Sequence, residues 1–169
     1  MAKLKAIMAA ILFGCALAPS GASAAVGGQE GARMQEDRRI AVVRDMAAAW
    51  HARDWNRVAA LFAEDGVLHS MMVEPIRGRR AIAARINHLG AGLESITLNI
   101  RNIGLVNGTV FVERVDEFVY QGNSGRVPVV GVIEVGEDGL IREWREYYDR
   151  AELLRAMGLE QDFDRAGRE

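Results

Sequence analysis

The sequence predicts an α+β domain in which three to four helices close over the concave face of a curved, mixed or antiparallel sheet and enclose a pocket. Three observations predict it. Apolar residues recur at helical spacing through the first half of the chain, the period changes to two from Glu94 onward, and turn signals cut the second half into four consecutive strands. Helices in front of a run of hairpins place those strands in one antiparallel sheet.

Residues 1–24 are expected to be a secretory signal peptide. Lys3 and Lys5 make a basic start, residues 6–18 (AIMAAILFGCALA) are uncharged, apolar and short for a bilayer span, and Ala22-Ser23-Ala24 fits a small-x-small cleavage site. A buried N-terminal helix is one alternative. A lipoprotein signal ending at Cys15 is another, which the bulky Phe13 fits poorly. Cleavage after Ala24 removes Cys15, the only cysteine, and leaves no disulfide, thiol nucleophile or thiolate metal site. The expected location is the periplasm, without stable membrane insertion after processing. Both lysines leave with the signal, so 19 of the 21 basic residues remain, all arginine, against 23 acidic ones, a formal charge of −4. That balance argues against a nucleic-acid partner.

Residues 25–36, rich in Gly, Ala and polar side chains, are expected to be flexible, and the domain to occupy 37–160, with a polar tail over 161–169. A helix from about residue 37 follows from Ile40, Val43, Met46 and Trp50. After a break near 51–54, Trp55, Val58, Leu61 and Phe62 predict a second, ended by Glu64-Asp65-Gly66. Residues 67–72 read as a short strand and 75–78 as a loop; Ile82, Ile86 and Leu89 predict the third helix, stopped by Gly90 and Gly92. In the next strand Ile96, Leu98 and Ile100 alternate, then Ile103 and Leu105 take the opposite phase, which predicts a bulge near Arg101-Asn102. Asn107-Gly108 is a hairpin signal; strands follow over 109–120, 126–135 and 140–149, and Leu153, Leu154 and Met157 mark a closing helix.

The strand over 109–120 carries an arginine and an aspartate in an apolar setting. Alternation puts Arg114 and Asp116 on one face with Val110, Val112, Phe118 and Tyr120, roughly 6–7 Å apart along the strand. This face is expected to point inward. On the last strand Leu140, Arg142, Trp144, Glu146 and Tyr148 share a face. If that face also points in, one planar guanidinium can hold two carboxylates, one kept ionised to take a proton from water and the other kept protonated to give one. The same Arg-x-Asp pattern also fits a plain structural ion pair. No His/Asp/Glu grouping has metal-ligand spacing, and neither a metal nor a cofactor is expected.

The stretches LFAEDGVLHSMM (61–72), IRGRRAI (76–82), NIGLVNGTVFVERVDEF (102–118) and GVIEVGEDGLIREWREYYD (131–149) resemble limonene-1,2-epoxide hydrolases, members of the NTF2-like, SnoaL-like group of cone-shaped α+β folds. The resemblance covers most of the mature domain; ERVD and WR-acid-YYD are its specific elements. It implies Arg114 as the bridge, Asp116 as general acid towards an epoxide oxygen and Glu146 as the base that activates water. Leu68, Ser70, Met72, Phe118, Trp144 and Tyr148 would line a pocket for a small apolar terpenoid or aromatic substrate. A homodimer through the open sheet face is implied as well. The chain departs from the family pattern where Glu146 stands for an aspartate, and where Leu68 and Ser70 stand for a water-holding tyrosine and asparagine. Two other readings therefore stay open: a cofactor-free lyase, dehydratase or isomerase on the same scaffold, and a periplasmic small-molecule carrier without activity.

Overall fold

The computed structural model describes residues 22–159, and its elements follow the predicted order with shifted boundaries and one addition, a two-residue strand at 76–77 inside the expected loop over 75–78. The order is α1 (Ala22–His51), α2 (Trp55–Ala60), β1 (Phe62–Ser70), β2 (Ile76–Arg77), α3 (Arg79–Gly90), β3 (Leu93–Val106), β4 (Thr109–Tyr120), β5 (Asn123–Val135), β6 (Ile141–Tyr147) and α4 (Arg150–Met157). Residues 1–21 of the expected signal peptide and the tail over 161–169 lie outside the described residues. Helix α1 begins at Ala22 and takes in residues 25–36. Among the described residues no helix is long and apolar enough to cross a membrane.

The six strands form one mixed sheet in the order β2-β1-β6-β5-β4-β3. Strand β1 runs parallel to β6 while the remaining neighbours are antiparallel. Both two-residue hairpins are built from left-handed pairs: Asn107-Gly108 (φ 50° and 81°) joins β3 to β4, and Gln121-Gly122 (φ 46° and 80°) joins β4 to β5. This geometry matches the twist of the flanking strands. The second turn is tighter than expected, and β5 starts at Asn123 rather than 126.

The predicted bulge is present: the β3–β4 register slips between Ile100 and Asn102, opposite Arg114 and Glu113. It bends the sheet over the middle of β4. A second slip, between Glu134 and Val135 on β5, buries Ile141 and turns Arg142 outward, where it donates to Asp138 at 2.6 Å. Arg142 therefore leaves the face the simple alternation assigned to it.

Strand β1 starts at Phe62, not 67, and takes in Glu64-Asp65-Gly66 rather than ending a helix there. The apolar spacing of 55–62 suits a helix, but Ile141 N–H donates to Leu61 C=O at 2.8 Å and draws the chain into the sheet. Helix α2 is thus a single turn and a half, capped by Asp54, which accepts from Arg57 N–H at 2.9 Å. Helix α4 carries an Asp149…Glu152 cap at its start and a left-handed Gly158 at its end.

The core lies between helices and sheet. One apolar cluster joins Met46, Ile82 and Ile86 to Val110, Ile133 and Ile141; a second joins Leu93, Phe118, Tyr120 and Val127 to Met157 under α4. Between these walls the sheet and helices leave a cavity of about 150 Å³, lined by residues from both clusters.

Candidate active site

Strand β4 turns Val110, Val112, Arg114, Phe118 and Tyr120 into the interior, as its period-two pattern predicts. Arg114 is 4% exposed. Its Nε donates to Asp116 Oδ1 at 2.8 Å and its Nη2 to Asp116 Oδ2 at 3.1 Å. Nη2 also donates to Glu146 Oε1, which lies two strands away on β6. One guanidinium therefore holds both acids, the arrangement that the family resemblance implies for these three residues.

Glu146 Oε1 receives a second bond, from Trp144 Nε1 at 2.8 Å. The same indole ring lies 5.6 Å from Arg114 Cζ, within range of a cation–π contact. Trp144 thus fixes both the base candidate and the bridge. Its position two residues before Glu146 on one strand face makes this contact local and repeatable.

Three ionisable groups with one positive charge share this buried space. Burial pushes the Asp116 carboxyl above its ordinary range; the Arg114 charge and hydrogen bonds pull the other way, and the nearby Glu146 adds to the rise. For Arg114, burial works against the charged form, but the two carboxylates outweigh it and the guanidinium is held protonated more firmly than usual. A single buried cation neutralises one carboxylate, so the second is better off keeping its proton. Asp116 is the acid whose environment favours that state.

The reach from β4 to β6 crosses β5, and the residue beneath it is Gly131. It pairs with Val112 on one side and Glu146 on the other. A Cβ at this position would stand 2.8 Å from Val112 Cγ1 and 3.2 Å from Arg114 Nη1. The missing side chain is the gap through which the guanidinium crosses. Gly131→Ala is expected to destabilise by about 1–3 kcal/mol by overpacking, although alanine normally improves on glycine in a strand. Thermal unfolding of the Ala and Val variants checks this, and unchanged or raised midpoints in both would show that the space is not needed.

Five of the six predicted lining residues do face the cavity: Leu68, Ser70, Phe118, Trp144 and Tyr148. Met72 does not. Strand β1 ends at Ser70, Val73 N–H donates back to Ser70 C=O at 2.9 Å, and this turn leaves Met72 41% exposed. Ser70 is the register partner of Glu146, and its Oγ accepts from Tyr148 O–H at 3.1 Å. A pair of hydroxyls thus stands beside the base candidate. Leu68, beside Trp144, adds only hydrocarbon. Tyr147, the neighbour of Glu146 on the opposite face of β6, is exposed.

The predicted lining omits two charged residues, Arg85 on α3 and Arg150 at the start of α4. Arg85 is followed directly by Ile86 and lies four residues before Leu89, so its proximity to the apolar face is a usable signal. Among the described residues no group of three His, Cys, Asp or Glu side chains could hold a metal ion.

The SnoaL-like domain model matches residues 43–144, three-fifths of the chain. This chain belongs to the SnoaL-like family. As a SnoaL-like protein it is similar to the epoxide hydrolase EphG of Mycobacterium tuberculosis, 29% identical over 104 residues that make up 62% of this chain and 68% of that protein. It is also similar to the solved structure of an M. tuberculosis LEH-like epoxide hydrolase, with a TM-score of 0.65 and 25% identity over 73% of this chain and 91% of that one. A Catenulispora acidiphila protein with a ketosteroid isomerase-like fold superposes with a TM-score of 0.63 at 24% identity, over 72% of this chain and 95% of that one, a likeness of fold alone. The SnoaL-like architecture is therefore the NTF2-like cone that the sequence predicts.

Proposed function

We propose that this SnoaL-like protein hydrolyses an epoxide to a diol, with Asp116 as general acid, Glu146 as general base and Arg114 as the bridge that holds both. The observation that carries the reading is the double contact of Arg114 with the two carboxyl groups of one apolar cavity. The similarity to the sequence of an epoxide hydrolase and to the structure of a LEH-like epoxide hydrolase supports it.

Arg114 and Trp144 both donate to Glu146 Oε1, so Oε2 is the oxygen available to water. Water attacks an epoxide carbon while Oε2 takes one of its protons. The carbon–oxygen bond breaks, and the leaving oxygen takes the proton of Asp116. The product is a diol, and a proton returned from Glu146 to Asp116 through water resets the site. Each proton transfer of this kind typically contributes about 10²–10⁴-fold. The Ser70–Tyr148 hydroxyl pair, next to Glu146, supplies the polar contacts that a positioned water needs.

Incubation of the protein with cyclic and styrene-type epoxides in isotope-labelled water is the test. The expected result is a diol with one labelled oxygen. A folded sample that forms no diol from any of them counts against the reading. Leu68 supports the second reading, a lyase, dehydratase or isomerase, because it takes a polar partner away from the water. That reaction would form product without label.

A further inference from the structure

We infer that Gly125 sets the length of apolar chain the cavity accepts. With no side chain there, the Phe118 ring lies down over β5 and leaves the recess on the β3 side, at Ile96 and Leu93, open to the substrate. This deepens the hydrolase reading and rests on it for the reactive group of the substrate alone.

Phe118 follows Asp116 on the inward face of β4, roughly 6–7 Å further along the strand. In the row across the sheet its partners are Ile96 of β3 on one side and Gly125 of β5 on the other. Gly125 is not among the glycines with a left-handed backbone, so its conformation does not call for glycine. Space does. A Cβ at this position would overlap the Phe118 ring at Cζ and Cε2 and stand 3.0 Å from Ala156 Cβ on α4. The ring therefore leans towards β5 and away from Ile96. Phe118, Ile96 and Leu93 all line the cavity.

A side chain at 125 has two ways to find room: it can push Ala156 and lift α4, or it can turn the ring. Leu154 and Met157 of α4 are buried, so lifting the helix exposes packed hydrocarbon. The tip of the ring is the end of a flexible side chain with the cavity beside it. Turned towards β3, it fills the recess over Ile96. A cavity of about 150 Å³ is of the size that holds a single benzene ring. Little of it can be filled before a longer ligand no longer fits. Gly125 thus acts through Phe118 as a positioning residue, and the apolar body of the substrate extends past Asp116 towards β3.

The test is binding of straight-chain alcohols from butanol to decanol, read from the fluorescence of Trp50 and Trp144, which both line the cavity. Wild-type affinity is expected to rise about fourfold per methylene until the cavity is full. In Gly125→Ala the rise should stop about two carbons earlier, so that the longest alcohols bind about tenfold or more weaker while butanol moves less than about twofold. Phe118→Leu should restore the long alcohols in the Gly125→Ala background and, alone, carry the rise past the wild-type end point. A glycine of merely structural importance would lower every affinity alike. The same end point in Gly125→Ala and wild type overturns the proposal, as does a loss that Phe118→Leu does not restore, or a wild type without chain-length dependence. If Gly125→Ala does not fold, Phe118→Leu alone decides, and an unchanged end point overturns the proposal. The alcohols undergo no reaction, so a failure to open epoxides sinks the hydrolase reading and leaves this result standing.

Discussion

Arg114→Met is expected to lower stability by about 3–5 kcal/mol near pH 7 and to remove epoxide turnover altogether. The side chain is 4% exposed and is the cation shared by Asp116 and Glu146. Methionine fills much of the same space, so the loss is one of charge rather than volume. Two carboxyl groups then share a buried site with no counter-ion, and each becomes harder to ionise. The sign follows from linkage. Without the arginine, the acids bind protons more tightly in the folded protein than in the unfolded chain. Their contribution is then fully favourable below the unfolded carboxyl range, about pH 4, and is lost as pH rises through the raised folded values. The gap between wild type and variant should therefore be small near pH 4 and wide at pH 7. Denaturant unfolding at the two pH values measures it. A gap of the same size at both would mean that Arg114 acts through packing and that the charge account of the site is wrong.

Half of the clamp is legible in the amino-acid sequence. Arg114 and Asp116 are two residues apart on one strand, and strand alternation is a local property, so their shared face can be read from seven letters. The link to Glu146 is of another kind. It depends on β5 lying between β4 and β6, and on Gly131 leaving room above that strand. Neither fact has a local signature, and the family resemblance supplies what periodicity does not. The misreadings have the same origin. Residues 55–62 suit a helix by spacing, yet the last of them is drawn into the sheet by a partner nearly eighty residues away, Ile141. Arg142 alternates correctly on paper but sits across a bulge. Met72 extends an apolar run in the sequence past the point where the strand turns out. Arg85 sits beside the apolar face of its helix, a local signal, but that it and Arg150 line one cavity has no local signature, because a wall made by two helices does not exist until those helices meet the sheet.

Asp116→Asn and Glu146→Gln are each expected to reduce turnover by about 10²–10⁴-fold, with little loss of thermal stability. Asparagine keeps a carbonyl oxygen for Arg114 and the neutral shape that the site already favours. For the aspartate the sign can be worked out. Burial raises its proton affinity in the folded state, and the partial offset from Arg114 does not reverse this. Its contribution to stability is therefore full below the ordinary carboxyl pKa and is lost as pH rises through the raised folded value. Asparagine does not titrate, so the variant should gain on the wild type across that interval and match or exceed it at neutral pH. The wild-type rate should fall on its alkaline side as Asp116 gives up its proton, above the range of an ordinary carboxyl group. Glutamine at 146 still accepts from Arg114 and Trp144 Nε1 but cannot take a proton from water. The two losses should not multiply in the double variant, since acid and base act on one event. A structural ion pair, or a carrier without activity, predicts a different set of results. In that case the single variants would lower the melting temperature or leave ligand binding untouched, and the diol yield would not respond to either. Turnover that persists in both variants while stability falls would remove Asp116 and Glu146 from the chemistry.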